Sequence, residues 1–230
     1  MKQPNRTNNK IYKHTNIYDG SENKAYINKL FSCYVKKAIL SNKLNLNDFC
    51  CMILDHTNHA TSQALLDTKV LEPENILVIE TDDKVVISHN SFGIPCHHGT
   101  VEDFASDNYD KIYSESDSNY RTYKYPGIYL DFCGNVSVVS SALDVISKCN
   151  FVDYSIIAFT FSTRTGRSII KFNELLSNFK QKLNKILDKK NFIISEITEL
   201  YYSGKKLNIN HNKGKMFTIL CKIRKIHIIY

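Results

Sequence analysis

Four short, unbroken apolar runs constrain this chain more than any other feature. They are FCCMILD (49–55), NILVIET (75–81), GIYLD (127–131) and YSIIAFTFST (154–163). Runs of this length without polar alternation suit strands buried on both faces. Segments with helical spacing separate them. AYINKLFSCYVKKAIL (25–40) puts Tyr26, Leu30, Phe31, Tyr34, Val35 and Ile39 on one stripe. Thr61 or Ser62 can cap a helix through QALLDTKVL, which Pro73 stops. VSVVSSALDVISKC (136–149) and IIKFNELLSNFKQKLNKILDKK (169–190) complete the set, the latter with Phe172, Leu175, Leu176, Phe179, Leu183 and Ile186 on one side. Such alternation predicts a doubly wound α/β fold with a mostly parallel sheet between two helical layers.

The chain then changes pattern. Residues 191–204 and 215–229 read as two long strands joined by GKKLNINHNKGK, a C-terminal antiparallel β-hairpin. VVISH (85–89) reads as a short strand or loop. IPCHHGTVEDFA (94–105) reads as a short strand or turn followed by an acidic loop, and 106–125 as a surface connection. No internal boundary interrupts residues 25–230, which read as one domain behind a flexible segment, 1–24.

Three of the four runs finish on an acid. Asp55 follows MIL, Glu80 follows LVI and Asp131 follows IYL, while Glu102-Asp103-Phe104 follows the turn after IPCHHGT. In a parallel sheet these ends share one edge, where α/β proteins bind their ligands. A carboxylate there accepts two hydrogen bonds, matching a ribose diol or an amine, and an aromatic ring beside it stacks on a base. The plainer alternative is that each acid only stops a strand and caps a turn.

The arrangement resembles the class I, Rossmann-like, S-adenosylmethionine-dependent methyltransferases, over about residues 25–229. The resemblance implies S-adenosylmethionine as cofactor. It places Asp55 and Asn58 at the first cofactor loop, Glu80 on the ribose hydroxyls, and Asp103 with Phe104 at the adenine. Within YLDFCG, Asp131 and Cys133 would face the methyl group, with Gly134 beside the cofactor. Three features depart from the family pattern. The loop HTNHATS (56–62) has no glycine. The Asp/Asn-Pro-Pro-Tyr/Phe signature of amino methyltransferases is absent, as is the Pro-Cys pair of cytosine-5 enzymes. A catalytically inactive scaffold for nucleic acid or a protein partner therefore stands beside the enzyme reading. A nicotinamide oxidoreductase is a weaker third, since no GxGxxG follows the first strand.

Charge bears on the acceptor. Thirty Lys and Arg against twenty-three Asp and Glu give +7, which suits a polyanion. The lysines gather at 180–190, 205–206 and 213–225. Lys205, Lys206 and Lys213 at the hairpin tip, with Arg164 after the fourth run, are candidate nucleic-acid contacts. An alternative is that an AT-rich genome simply writes many lysines. Cys96-His97-His98 has zinc-binding residue types, but adjacent residues seldom share one metal, so no metal site is expected. Seven scattered cysteines without a CxxC pair, and an N-terminus without an apolar core, predict free thiols in an intracellular protein. No apolar run approaches the ~20 residues of a membrane span.

Overall fold

The computed structural model describes residues 22–106, 123–132, 142–163, 169–203, 206–209 and 216–226. Eight strands form one sheet: β1 (Cys51–Ile53), β2 (Ile76–Glu80), β3 (Cys96–His98), β4 (Lys124–Asp131), β5 (Asn150–Ser162), β6 (Phe192–Ser203), β7 (Lys206–Ile209) and β8 (Met216–Lys225). Their order is β3-β2-β1-β4-β5-β8-β6-β7. β1 to β5 pair parallel, as the unbroken apolar runs predict. β8 runs antiparallel between β5 and β6.

The helices are α1 (Glu22–Ser41), α2 (Ala60–Leu66), α3 (Asp83–Ser91), α4 (Val101–Ala105), α5 (Ala142–Lys148) and α6 (Ile169–Lys189). Two apolar layers result. One joins α1 and Leu65 of α2 to Cys51, Ile53, Val78, Tyr129 and Ala158. The other joins α4, α5 and α6 to Met52, Leu77, Ile128, Leu130, Ile157 and Phe159. Neighbouring strand residues thus face opposite layers, the period-2 rule of a strand.

α1 lies tight on the sheet. Ile27, Phe31 and Val35 are fully buried, each worth roughly 1.5–3 kcal/mol relative to exposure. A Cβ at Gly127 would sit 2.4 Å from a Val35 methyl carbon and 3.1 Å from Phe31 Cζ. Glycine at the start of GIYLD therefore lets α1 approach β4, and the Phe31 and Tyr129 rings meet 5.2 Å apart.

Several expectations need correction. VVISH is helical: it lies in α3, which Asp82 caps by accepting from the Lys84 N–H at 2.8 Å. That local cap overrides the β-branched pair Val85-Val86. The acidic loop after β3 is the short helix α4, closed by a Thr100–Asp103 capping box. α2 starts at Ala60, ahead of both proposed caps, and stops at Leu66, well before Pro73. The expected hairpin carries an extra strand, since β7 folds back on β6 while β8 takes the inner side. Residues 22–24, assigned to the flexible segment, belong to α1. The described cysteines carry no disulfide. Among the described residues, no helix is long and apolar enough to cross a membrane.

Candidate functional site

Because β1 to β5 are parallel, their carboxyl ends share one edge. The chain order reverses between β1 and β4, and Asp55 and Asp131 stand on either side of that switch point. This is where a doubly wound sheet leaves a crevice.

Asp55 is spent internally. Its Oδ1 accepts from the backbone N–H groups of His56 (3.0 Å) and Thr61 (3.3 Å), and its Oδ2 from Ser62 N–H at 2.8 Å and the Ser62 hydroxyl. His89 Nε2 lies 3.6 Å away, and the Asp55 side chain is 4% exposed. Burial pushes the carboxyl up, but the His89, Ser62 and His56 contacts outweigh it and hold the group below its ordinary value. Asp55 therefore caps α2 from six residues upstream.

The glycine-free loop is explained next door. His59 takes the left-handed conformation, φ +53°, that glycine usually supplies. Its ring packs 4.1 Å from His89 and 4.7 Å from Phe92, and its Nε2 bonds the Ser88 hydroxyl at 2.8 Å. Burial first, then neighbouring His89, depresses its pKa. These contacts anchor the loop on α3 and offset the strained backbone. Asn58 is exposed, and its Oδ1 accepts from the Ala60 N–H at 3.2 Å.

Glu80 is held differently. One oxygen, Oε1, accepts from the N–H groups of Thr81 (2.7 Å) and Asp82 (3.1 Å). Among the described residues no donor reaches the other oxygen, Oε2. The carboxylate is thus fixed by backbone and keeps one face for a ligand. Glu80 pairs with His98 across β2 and β3, and Gly99 N–H bonds the Glu80 carbonyl at 3.0 Å, which brings α4 alongside. There Asp103 Oδ2 accepts from Thr100 N–H (2.9 Å) and its hydroxyl (2.8 Å). These bonds hold the exposed Asp103 carboxyl below its usual range. Half-buried Phe104 meets the edge of the His97 ring at 5.4 Å. Burial drives His97 down to about 4, so it is neutral near pH 7. A Cβ at Gly99 would lie 2.6 Å from His97 Nε2, so a side chain there would have to displace the His97 ring. Cys96, His97 and His98 do not converge: His98 instead reaches Asp83 at 3.2 Å.

Asp131 ends β4 and forms an ion pair with Lys24 of α1, a partner that sequence reasoning missed. Lys24 is 7% exposed. Its ammonium also bonds the Tyr129 hydroxyl at 3.2 Å and lies over that ring. From Tyr129 the chain continues to Thr160 (3.0 Å) and on to Thr218 (2.7 Å). A polar thread thus runs from the sheet edge across β4, β5 and β8 beneath α1. Its signal was present in the sequence: Lys24, Ile27, Asn28 and Phe31 fall at i, i+3, i+4 and i+7, on the stripe that faces the core.

Cys133, Gly134, Arg164, Lys205 and Lys213 lie outside the described residues, and Lys206 opens β7 opposite Ser203. The edge thus brings together Asp55, Glu80, Asp131 and, through β3, Asp103 with Phe104.

No family model matches the chain, and no curated protein matches it in sequence. Solved structures do match in shape. The plantazolicin methyltransferase BamL, solved with a triazolic desmethylPZN analog and SAH, is 12% identical with a TM-score of 0.50, over 90% of this chain and 86% of that one. A fibrillarin pre-rRNA processing protein of Methanococcus jannaschii is 12% identical with a TM-score of 0.47, over 80% and 70%. An rRNA methylase of Streptococcus thermophilus is 10% identical with a TM-score of 0.46, over 86% and 95%. With its strand order, inserted antiparallel β8 and likeness to BamL, this chain has the class I S-adenosylmethionine-dependent methyltransferase fold.

Proposed function

We propose that the chain is an S-adenosylmethionine-dependent methyltransferase acting on nucleic acid. One observation carries the cofactor reading: Glu80 is locked by two backbone N–H groups through Oε1 while Oε2 takes no hydrogen bond among the described residues. That is the donor-hungry arrangement a ribose diol satisfies. Asp103 and Phe104 would hold the adenine, and Asn58 the approach from the first loop. The residues fit the nucleoside end well. At the amino-acid end, the first N–H groups of α2 already belong to Asp55.

When bound, the cofactor supplies an electrophilic methyl group. The chain's own contribution is alignment. Asp131 accepts a hydrogen bond from the attacking amine or hydroxyl, and Lys24 fixes where that carboxylate points. Cys133 and Gly134, two and three residues beyond Asp131 in the sequence, are the remaining candidates for the methyl site.

Calorimetry tests the reading. The protein should release heat with S-adenosylmethionine and with S-adenosylhomocysteine. Glu80→Ala should weaken both by about 1.5–3 kcal/mol, because a charged acceptor is lost. No heat with either compound overturns the proposal. A catalytically inactive scaffold gains support from one observation, the closed, glycine-free loop around Asp55 and His59. It would bind its partner equally well after Glu80→Ala.

For the acceptor, the lysine cluster supports nucleic acid, but not every member of it is available. Lys222 is tied to Glu196 at 3.3 Å, and Arg224 lies 3.9 Å from Asp153 and over the Tyr154 ring. The phosphate contacts proposed are therefore Lys205, Lys206 and Lys213, with Arg164. Binding of a single-stranded oligonucleotide should weaken with salt, at a log–log slope of roughly −0.7 per contacted phosphate. Alanine at Lys205, Lys206 and Lys213 should flatten that slope. A slope near zero in the unmodified protein removes nucleic acid as the acceptor.

A further inference from the structure

A cavity of about 840 Å3 opens between α1 and α2. Its size is that of a small-molecule site. Asn28 contributes to its wall, is 2% exposed, and has neither an acceptor for its Nδ2 nor a donor for its Oδ1 among the described residues. A buried amide left unmade on both ends is costly, and folded proteins seldom keep one. Three neighbours are satisfied by one another or by backbone: Ser32 Oγ bonds the Lys29 carbonyl (3.0 Å), Gln63 bonds Asp67 (2.8 Å), and Lys36 bonds the Thr68 carbonyl (3.1 Å), while Glu22 and Lys29 are exposed on the rim. Asn28 stands apart from this pattern.

We infer that this groove binds a nucleotide, its base edge paired to the Asn28 amide and its phosphate met by Lys29. An amide side chain offers one donor and one acceptor side by side, the complement of a nucleobase edge. The methyl groups of Ala25, Ala60 and Ala64 give the apolar walls a planar ring needs. Lys29 is exposed on the same groove and forms no ion pair among the described residues. An extended peptide would demand a row of alternating donors and acceptors along the groove, whereas the cavity offers a single buried pair. The groove shares Lys24 and Asn58 of its wall with the strand-edge site, but Asn28 and Lys29 have no part in the cofactor reading, and the inference does not rest on it.

The experiment is titration calorimetry of the full chain with AMP and with a short single-stranded oligoadenylate. AMP should bind, and Asn28→Leu should weaken it by about tenfold to a hundredfold, the loss of a buried hydrogen-bonded pair. Asn28→Leu should also raise the thermal midpoint, since it replaces an unpartnered amide with an apolar group of similar size. Lys29→Glu, at an exposed position, should weaken AMP as well and serves if the leucine variant misfolds. Glu80→Ala should leave AMP binding intact. Equal affinity per site for AMP and oligoadenylate identifies a free nucleotide as the occupant, and a tighter oligoadenylate identifies a strand. AMP binding that survives Asn28→Leu but falls with Glu80→Ala would place the nucleotide at the strand edge and overturn the inference. So would absence of AMP binding, with or without uptake of a capped tripeptide in its place.

Discussion

Lys24→Met is expected to destabilise the fold by about 3 kcal/mol, the low end of the range for breaking a buried ion pair. The low end applies because the Asp131 side chain keeps 21% exposure against 8% for Lys24. The cost comes from the partner left behind. Methionine fills the space of the lysine stem, but Asp131 then faces the α1 layer without its counter-ion, and the Tyr129 hydroxyl loses a donor. Pairing Lys24→Met with Asp131→Leu should recover most of the loss, since no uncompensated charge remains. Urea midpoints of the two single variants and the double variant measure this directly. A double variant as unstable as the sum of the singles would show that the two residues do not act as a pair.

Asp55→Ala is expected to cost about 2–4 kcal/mol, combining loss of a helix cap with stranding of the buried Thr61 and Ser62 N–H groups. It should also change the acid response. The Asp55 carboxyl is held lower in the folded chain than the ~3.9 of an unfolded aspartate. Its stabilisation is therefore complete above that unfolded value and drains away as pH falls toward the folded one. Urea midpoints of the unmodified protein should fall steeply below about pH 4. The variant's decline should be shallower over the same window, and parallel curves would show that Asp55 does not couple protonation to folding.

The strand ends were legible because apolar runs closed by a carboxylate have one reading in a parallel sheet. Asp55, Glu80 and Asp131 could be placed at the edge from MILD, LVIE and IYLD alone. What the sequence does not carry is how each carboxylate is used. Asp55 and Glu80 look alike in one dimension. Seven residues downstream, Ser62 turns back to bond Asp55, whereas among the described residues the Glu80 carboxylate is bonded only by the two residues that follow it. Lys24 was hidden for a related reason, since its partner lies more than a hundred positions away. Helix α3 was misread because a cap at Asp82 outweighs the strand preference of two valines. The left-handed turn at His59 was not legible because a histidine at positive φ depends on the packing of His89 and Phe92 around it.

The place of β8 bears on how the protein is made. β5 and β6, at 13 and 12 residues, are the longest strands, and the strand that joins them is the last to be synthesised. Until residues 216–225 clear the ribosome, each presents an unpaired edge of hydrogen-bonding groups, the template on which chains aggregate. The sheet therefore closes in the middle and late, from its most distant sequence contacts, which slows folding. During that interval the nascent chain exposes the edges of β5 and β6, which β8 covers in the finished sheet, and it is then that it most needs shielding from other chains.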